Sequence, residues 1–149
     1  MKSFRKTVNK QLGEILLERG VINNDQLQHA LKEQKEQGAL FGEVLVNLKY
    51  ATEEDIVQAL TCQYGFPYLP LSNYEIAPEV IASVSVDLCK KYCLIPIDKI
   101  GRSLTLAISN PLNIQALEEV ERVTSCAVQS FVSTASDIKS GIKRYYESG

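Results

Sequence analysis

The strongest constraint on the fold is an internal repeat in residues 11–63. When the chain is laid over itself at an offset of 29, the segment Gln11–Leu16 falls on Leu40–Leu45, and the match runs on until Gln34 falls on Gln63. Each copy therefore has 24 residues (11–34 and 40–63), and the five residues 35–39 separate them. A unit this short cannot bury its own apolar face and must pack on its twin. The repeat predicts two similar halves around one core.

Each copy reads as a helical hairpin, because its apolar residues recur at helical spacing and turn signals separate its two helices. Polar residues that can cap a helix precede the second helix of each copy: Asn23 or Asn24 in the first, and Thr52, followed by Asp55, in the second. Glycines that can take the left-handed conformation end three of the helices: Gly20, Gly38 and Gly65. We expect two helical hairpins related by pseudo-symmetry.

Two residue types recur in the repeat where packing alone does not call for them. Gly13 and Gly42 stand near the start of their helices, where glycine costs about 1 kcal/mol relative to alanine. A missing side chain lets another group approach the backbone, and free N–H groups at a helix start attract anions such as phosphate. Gln34 and Gln63 place an amide on the inner face of their helices, where it needs partners. Those partners are either the opposite hairpin or the polar edge of a ligand.

The composition changes after the repeat. Pro67 and Pro70 stand among aromatic residues and force an extended join, so we expect a helical subdomain over 1–66 and a second subdomain over 67–149. In the second subdomain, short helices are predicted at 77–84 and 86–92, and longer ones after Asn113 and after Thr134 or Ser136.

Strand-like runs in the second subdomain lie at 93–97, 103–108 and 127–132. The first two are predicted to form a hairpin through residues 98–102, and Pro96 favours an edge position. The whole chain is therefore predicted to be α+β, with a helical repeat followed by a small α/β sandwich whose sheet has three strands or slightly more.

Charge and composition argue against several classes of function. The net charge is −2, and 1–70 and 71–149 each carry eight basic and nine acidic residues, so neither half has the basic excess typical of nucleic-acid binding. The basic N-terminal arm of Lys2, Arg5, Lys6 and Lys10 is expected to be a solvated tail. No apolar run reaches the roughly 20 residues that span a bilayer, and no signal peptide is recognisable. We expect a cytoplasmic protein without direct membrane insertion.

Neither metal nor catalytic chemistry is evident. Four cysteines (Cys62, Cys89, Cys93 and Cys126) match no zinc spacing and are predicted to be buried reduced thiols, with a Cys89/Cys93 redox or metal pair as the alternative. The single histidine, His29, has no recognisable acid to orient it. A Gly-Lys-Ser/Thr phosphate loop does not occur in the sequence, so we expect a non-enzyme.

The doubled pattern Leu-Gly-x-x-Leu…Gly…Leu…Leu-x-x-Gln resembles the MshEN domain family, the N-terminal domain of type II secretion and type IV pilus assembly ATPases. The first copy carries the whole pattern: Leu12, Gly13, Leu16, Gly20, Leu27, Leu31 and Gln34. The second copy keeps Gly42, Leu45, Leu60 and Gln63, with Phe41 and Ile56 as apolar replacements and Lys49 in place of a glycine. The segment Asn110–Asn113 and the paired tyrosines near the end extend the resemblance over nearly the whole chain.

In that family the paired motifs can bind cyclic di-GMP, with leucines against guanine, backbone groups near the glycines and an arginine opening each motif. The resemblance implies these ligand-binding residues: Lys10, Gln11, Leu12, Gly13, Leu16, Leu31, Gln34, Leu40, Phe41, Gly42, Leu45, Leu60 and Gln63. This chain departs from the family in having Gln11 and Leu40 where the arginines belong. Each lost charge-assisted bond costs about 1.5–3 kcal/mol, and Lys10 replaces only part of it. We expect the scaffold to be retained and the ligand lost.

The resemblance implies a regulatory and interaction domain of a type II secretion or type IV pilus assembly ATPase system. Its expected partners are the ATPase core, in the same or a separate chain, and the cytoplasmic domain of an inner-membrane platform protein, which would hold it at the inner membrane. The alternative is a cyclic di-GMP sensor that uses the duplicated motifs.

Overall fold

The computed structural model describes residues 12–147, except for the side chains of Gln63 and Asn73. The chain forms two compact units, which divide between Gly65 and Phe66. Among the described residues, no helix combines the length and the apolar character that a bilayer crossing requires.

The first unit consists of two helical hairpins, as predicted. Helix α1 covers residues 12–18 of the described chain, and α2 (Asn24–Gln37), α3 (Phe41–Asn47) and α4 (Glu53–Tyr64) follow. Helix α3 packs against both α2 and α4. Shifting the bounds of α1 by 29 residues gives those of α3, and the starts of α2 and α4 agree at the same offset.

The turns of the two hairpins make equivalent main-chain hydrogen bonds. The N–H of Val21 donates to the carbonyl oxygen of Leu16 at 2.9 Å, and the equivalent bond from Tyr50 to Leu45 measures 3.0 Å. Such bonds satisfy the last carbonyl groups of a helix and fix the direction in which the chain leaves it. The repeat seen in the sequence is therefore a repeat of main-chain geometry.

Capping boxes start the second helix of each hairpin. The side chain of Asn23 accepts from the N–H of Gln26, whose side chain accepts from the N–H of Asn23, and Thr52 and Asp55 form the same reciprocal pair. Of the two predicted caps for α2, Asn23 takes the role.

The second unit alternates helices and strands. Its elements are a 3₁₀ turn (Leu71–Asn73), α5 (Pro78–Ile81), α6 (Val86–Tyr92), β1 (Leu94–Ile100), β2 (Ser103–Ile108), α7 (Ile114–Thr124), β3 (Ala127–Val132), α8 (Ala135–Ile142) and a π-helical turn (Lys143–Glu147). Thr134 caps α8 by accepting from the N–H of Asp137, whereas α5 is shorter than the predicted 77–84 helix.

The described strands form one mixed sheet in the order β1-β2-β3. Strand β2 pairs antiparallel with β1 and parallel with β3, and α7 provides the crossover that a parallel pair needs. The sheet confirms the α+β prediction and the edge position of Pro96. The predicted hairpin loop 98–102 is wrong, because a register shift after Pro96 lets β1 continue to Ile100. Only Gly101 and Arg102 remain as the turn.

Two tyrosines attach the π-helical turn to the start of the second unit. The hydroxyl of Tyr145 donates to the carbonyl of Tyr74 at 3.1 Å, and the hydroxyl of Tyr146 donates to those of Ile81 and Val84, both at 2.9 Å. These bonds join residues more than 60 positions apart in the chain. They fix the last described turn on the loops around α5.

The prediction that all four cysteines are buried is wrong for Cys62, which is exposed, whereas Cys89, Cys93 and Cys126 are buried. Cys62 lies roughly 200° around α4 from the buried Leu60, because consecutive helical residues differ by about 100°. None of these four cysteines, all within the described residues, forms a disulfide bond.

Candidate functional site

Most of the apolar residues predicted to bind a ligand belong to the core of the first unit. The leucines Leu12, Leu16, Leu45 and Leu60 are 0% exposed, and Phe41 is 1% exposed. Gly13 is buried with them. Both copies thus place their motif residues between the helices, where burial of each large side chain contributes about 1.5–3 kcal/mol. In this structure these residues hold the scaffold together.

Four predicted site residues remain partly exposed. Leu31 and Gln34 lie in the second half of α2, Leu40 is the N-cap of α3, and Gly42 is in the first turn of α3. The short connection through Gly38 brings the end of α2 and the start of α3 together. These four residues are the part of the predicted site that lies at the surface of the first unit.

Three predicted site residues are only partly covered by the structure or lie outside it. Lys10 and Gln11 precede the described residues, and the side chain of Gln63 is not described. Gln11 and Leu40 are the two positions that open the motifs, and of these two the structure describes Leu40.

The two motif glycines differ in what surrounds them. A Cβ atom on Gly13 would lie 2.5 Å from Leu27 Cδ1 and 3.4 Å from Phe41 Cζ, whereas one on Gly42 would lie 3.5 Å from Ile56 Cδ1. The first distance is too short for a real contact, and the last is ordinary van der Waals packing. The close approach for which Gly13 leaves room is made by side chains of the protein itself, and a Cβ atom there would require the end of the Leu27 side chain to shift.

The start of α3 offers a polar edge whose first turn carries an acidic residue, Glu43, and no cation. Leu40 makes no side-chain capping bond, so the first N–H groups of α3 lack the acceptor that Asn23 and Thr52 give to α2 and α4. An arginine here would add a cation that bonds bidentately to phosphate or guanine, and leucine adds apolar surface alone. This edge favours apolar contact over recognition of an anion.

A contact that sequence reasoning missed joins the two copies. His29 Nδ1 lies 2.6 Å from the hydroxyl of Tyr50, and the two rings are 5.7 Å apart at their centroids. The bond connects α2 to the turn between α3 and α4. The repeat does not predict this contact, because the residue equivalent to His29 in the other copy is Gln58 and the residue equivalent to Tyr50 is Val21.

Within residues 12–147, no group of three or more His, Cys, Asp or Glu side chains is placed to hold a metal ion.

Comparison with known proteins places the chain among secretion and pilus proteins. The model of the MshEN domain family matches residues 64–149. The type IV pilus assembly ATPase PilB of Myxococcus xanthus is 30% identical over 136 residues, which cover 91% of this chain and 24% of that protein. The chain thus spans about a quarter of the length of this curated relative.

Solved structures agree on the fold. The N-terminal domain of XpsE is 23% identical with a TM-score of 0.76, over 93% of this chain and 96% of that one. The structure of MshE with cdg is 24% identical with a TM-score of 0.67, over 91% of this chain and 98% of that one. Both similarities cover more than 90% of this chain and so extend beyond residues 64–149, which the family model matches.

Proposed function

This chain belongs to the MshEN domain family, and on that premise we propose that it is a non-catalytic interaction module of a type II secretion or type IV pilus assembly ATPase system. In this proposal it acts in the cytoplasm and docks on the cytoplasmic domain of an inner-membrane platform protein. It thereby connects that partner to the ATPase core. The sequence itself has no phosphate loop for ATP hydrolysis.

The observation that carries the proposal is the burial of the motif residues. Leu12, Leu16 and Leu45 are fully enclosed by their own unit. A ligand could reach them only after the hairpins separate, at the cost of about 1.5–3 kcal/mol for each exposed leucine. A scaffold whose motif residues pack on one another suits a docking module.

For the docking surface we propose the partly exposed residues at the connection between α2 and α3. Leu31 and Leu40 supply apolar area there, and Gln34 adds an amide. Apolar contacts surrounded by polar groups are typical of the centre of a protein interface. These surface residues include no arginine, which agrees better with a protein partner than with a cyclic dinucleotide that carries two negative phosphodiester groups.

Biolayer interferometry with the immobilised cytoplasmic domain of the platform protein tests this. We expect saturable binding of the chain, weakened at least about tenfold by Leu40→Glu, because a charge must then be desolvated in the interface. Gln28→Glu, on an exposed position of α2, is the control and should leave binding unchanged. Binding that is absent in the wild type, or equal in both variants, contradicts the proposal.

The alternative function is sensing of cyclic di-GMP. It is favoured by the similarity to MshE, whose structure includes cdg, and by the partial exposure of Gln34 near the end of α2 and of Gly42 at the start of α3. In this alternative both motif copies contribute, with Gln34 and Gln63 as the polar partners of the bases.

Calorimetry separates the two functions. If the chain is only a docking module, cyclic di-GMP at tens of micromolar protein gives no saturable heat, and restoring the two arginines with Gln11→Arg and Leu40→Arg creates binding. If it is a sensor, the wild type binds and replacement of Gln34 and Gln63 by alanine abolishes the heat. Binding to the platform domain and binding to cyclic di-GMP are measured separately on the same chain, so the failure of one function is seen independently of the other.

A further inference from the structure

A second candidate site lies in the other unit, between α6 and the end of the chain. It is a cavity of about 310 Å³ whose floor is formed by Cys89, Cys93 and Ile142. These side chains are 0%, 2% and 3% exposed. The volume is at the lower end of the range seen for small-molecule pockets, and the lining is mainly apolar, as in most such pockets.

The rim of this cavity is basic. Lys90, Lys139 and Lys143 line it together with one acidic residue, Glu147, which forms a 2.7 Å ion pair with Lys90. The cavity therefore has an excess of positive charge in a protein whose net charge is −2. Lys139 and Lys143 stand four residues apart, a spacing that places two helical side chains next to each other.

The Cys89 thiol on the floor of the cavity stays neutral at physiological pH. Burial raises the pKa of the Cys89 thiol to about 11, and the thiol lies 3.5 Å from the hydroxyl of Tyr146. Neutral thiols behave as small apolar groups. The cavity thus combines an apolar floor with a cationic rim.

We propose that this cavity binds a small amphipathic anion, a short alkyl chain that ends in a phosphate group. The alkyl chain contacts Cys89, Cys93 and Ile142, and the lysines at the rim hold the phosphate through charge-assisted hydrogen bonds. Free alkyl phosphates and anionic lipids share this chemistry. The site is separate from the motif residues of the helical repeat and independent of the function proposed for them.

A chain-length series measures the contribution of the floor. Inorganic phosphate, ethyl, butyl and hexyl phosphate are titrated into the full chain by calorimetry. Each added methylene should tighten binding about fourfold until the cavity is full, and inorganic phosphate should bind weakest. Affinity that is independent of chain length, or no binding of hexyl phosphate, overturns the proposal.

Two variants measure the contribution of the rim. Lys143→Glu should weaken hexyl phosphate binding at least about tenfold, and Lys143→Gln should weaken it less, because the first reverses a charge and the second removes one. Lys99→Glu makes the same change at an exposed site on β1 and should leave binding unaltered. Circular dichroism shows that each variant is folded. Equal losses at positions 99 and 143 overturn the site.

Sedimentation with vesicles identifies the source of the ligand. If the ligand is a lipid, the chain sediments with vesicles that contain phosphatidylglycerol but not with pure phosphatidylcholine, and Lys143→Glu prevents it. Binding of hexyl phosphate without sedimentation assigns the cavity to a free alkyl phosphate. Sedimentation that Lys143→Glu does not change contradicts a role of this cavity at lipid surfaces.

Discussion

At the residue scale, the two hairpins show that a backbone conformation can be kept when the residue that favours it is replaced. Gly20 ends α1 with φ 76°, and Lys49, at the equivalent position after α3, has φ 65°. Glycine takes this left-handed conformation freely, whereas a residue with a Cβ atom pays about 1 kcal/mol or more. The second hairpin therefore stores strain that the first does not.

Lys49→Gly should raise the free energy of unfolding by about 0.5–1 kcal/mol, since relief of the left-handed strain outweighs the added freedom of the unfolded chain. The reciprocal change, Gly20→Lys, should lower it by a similar amount. Urea denaturation followed by circular dichroism gives both values. A loss of stability in Lys49→Gly would mean that the lysine side chain contributes more than its conformation costs.

The motif glycines should respond differently to alanine. Gly13→Ala should lower the free energy of unfolding by up to about 1–3 kcal/mol, because the new methyl group would lie 2.5 Å from Leu27 Cδ1, which must then shift within a filled core. Gly42→Ala meets only ordinary contacts and should be neutral or stabilise the protein by up to about 1 kcal/mol through helix propensity. Thermal and urea denaturation of the pair provide the measurement. Similar values for both variants would contradict the packing role of Gly13.

At the element scale, the sequence was most informative where local chemistry decides the structure. Asn23, Thr52 and Thr134 cap helices as expected, because a short polar side chain can bond to the N–H groups that a helix start leaves free. The end of the first strand could not be derived in this way. Asp98 and Lys99 resemble turn residues, yet they pair with β2 after the register shift that follows Pro96.

The candidate site was predictable as a set of positions but not as a surface. The repeat pairs Leu12 with Phe41 and Leu16 with Leu45, and all four side chains are buried, but their spacing alone does not say whether they contact a ligand or each other. The His29–Tyr50 bond was not predictable either. The two residues are 21 positions apart and lie in different hairpins, so the packing of the hairpins must be known before the bond can be inferred.

The π-helical turn gives a test of long-range anchoring between elements. Tyr146→Phe removes the hydroxyl that donates to the carbonyl groups of Ile81 and Val84. We expect the free energy of unfolding to fall by about 1–3 kcal/mol, because part-buried carbonyl groups lose their donor. Tyr68→Phe, at a tyrosine that is 45% exposed, is the matched control and should stay within about 0.5 kcal/mol of the wild type. Equal effects in both variants would contradict the anchoring.

At the scale of the whole molecule, stability should fall in alkaline solution. Burial raises the pKa of Cys89 from 9.0 to about 11, and burial also raises the pKa of Tyr146. The unfolded chain releases the thiol proton at the lower pH, so the stabilisation is complete below pH about 9 and is lost as pH rises to about 11. Two pKa units at Cys89 correspond to about 2–3 kcal/mol.

Urea denaturation at a series of pH values from 7 to about 11 measures this loss. Cys89→Ser replaces the titrating thiol by a hydroxyl group of similar shape and should flatten the decline, whatever its effect at neutral pH. If the decline is as steep in the variant as in the wild type, the thiol is not its source.

The matching turns of the two hairpins also show that the residues that determine the fold differ from those that are available for binding. Caps, turn bonds and enclosed leucines preserve the shape, and Lys49 shows that even a strained exchange leaves the path of the chain unaltered. The side chain of Leu40 makes no capping hydrogen bond, so it is free to vary. In a scaffold built in this way, single substitutions at surface positions can create or remove binding of a partner, while selection for folding acts on the buried and capping residues.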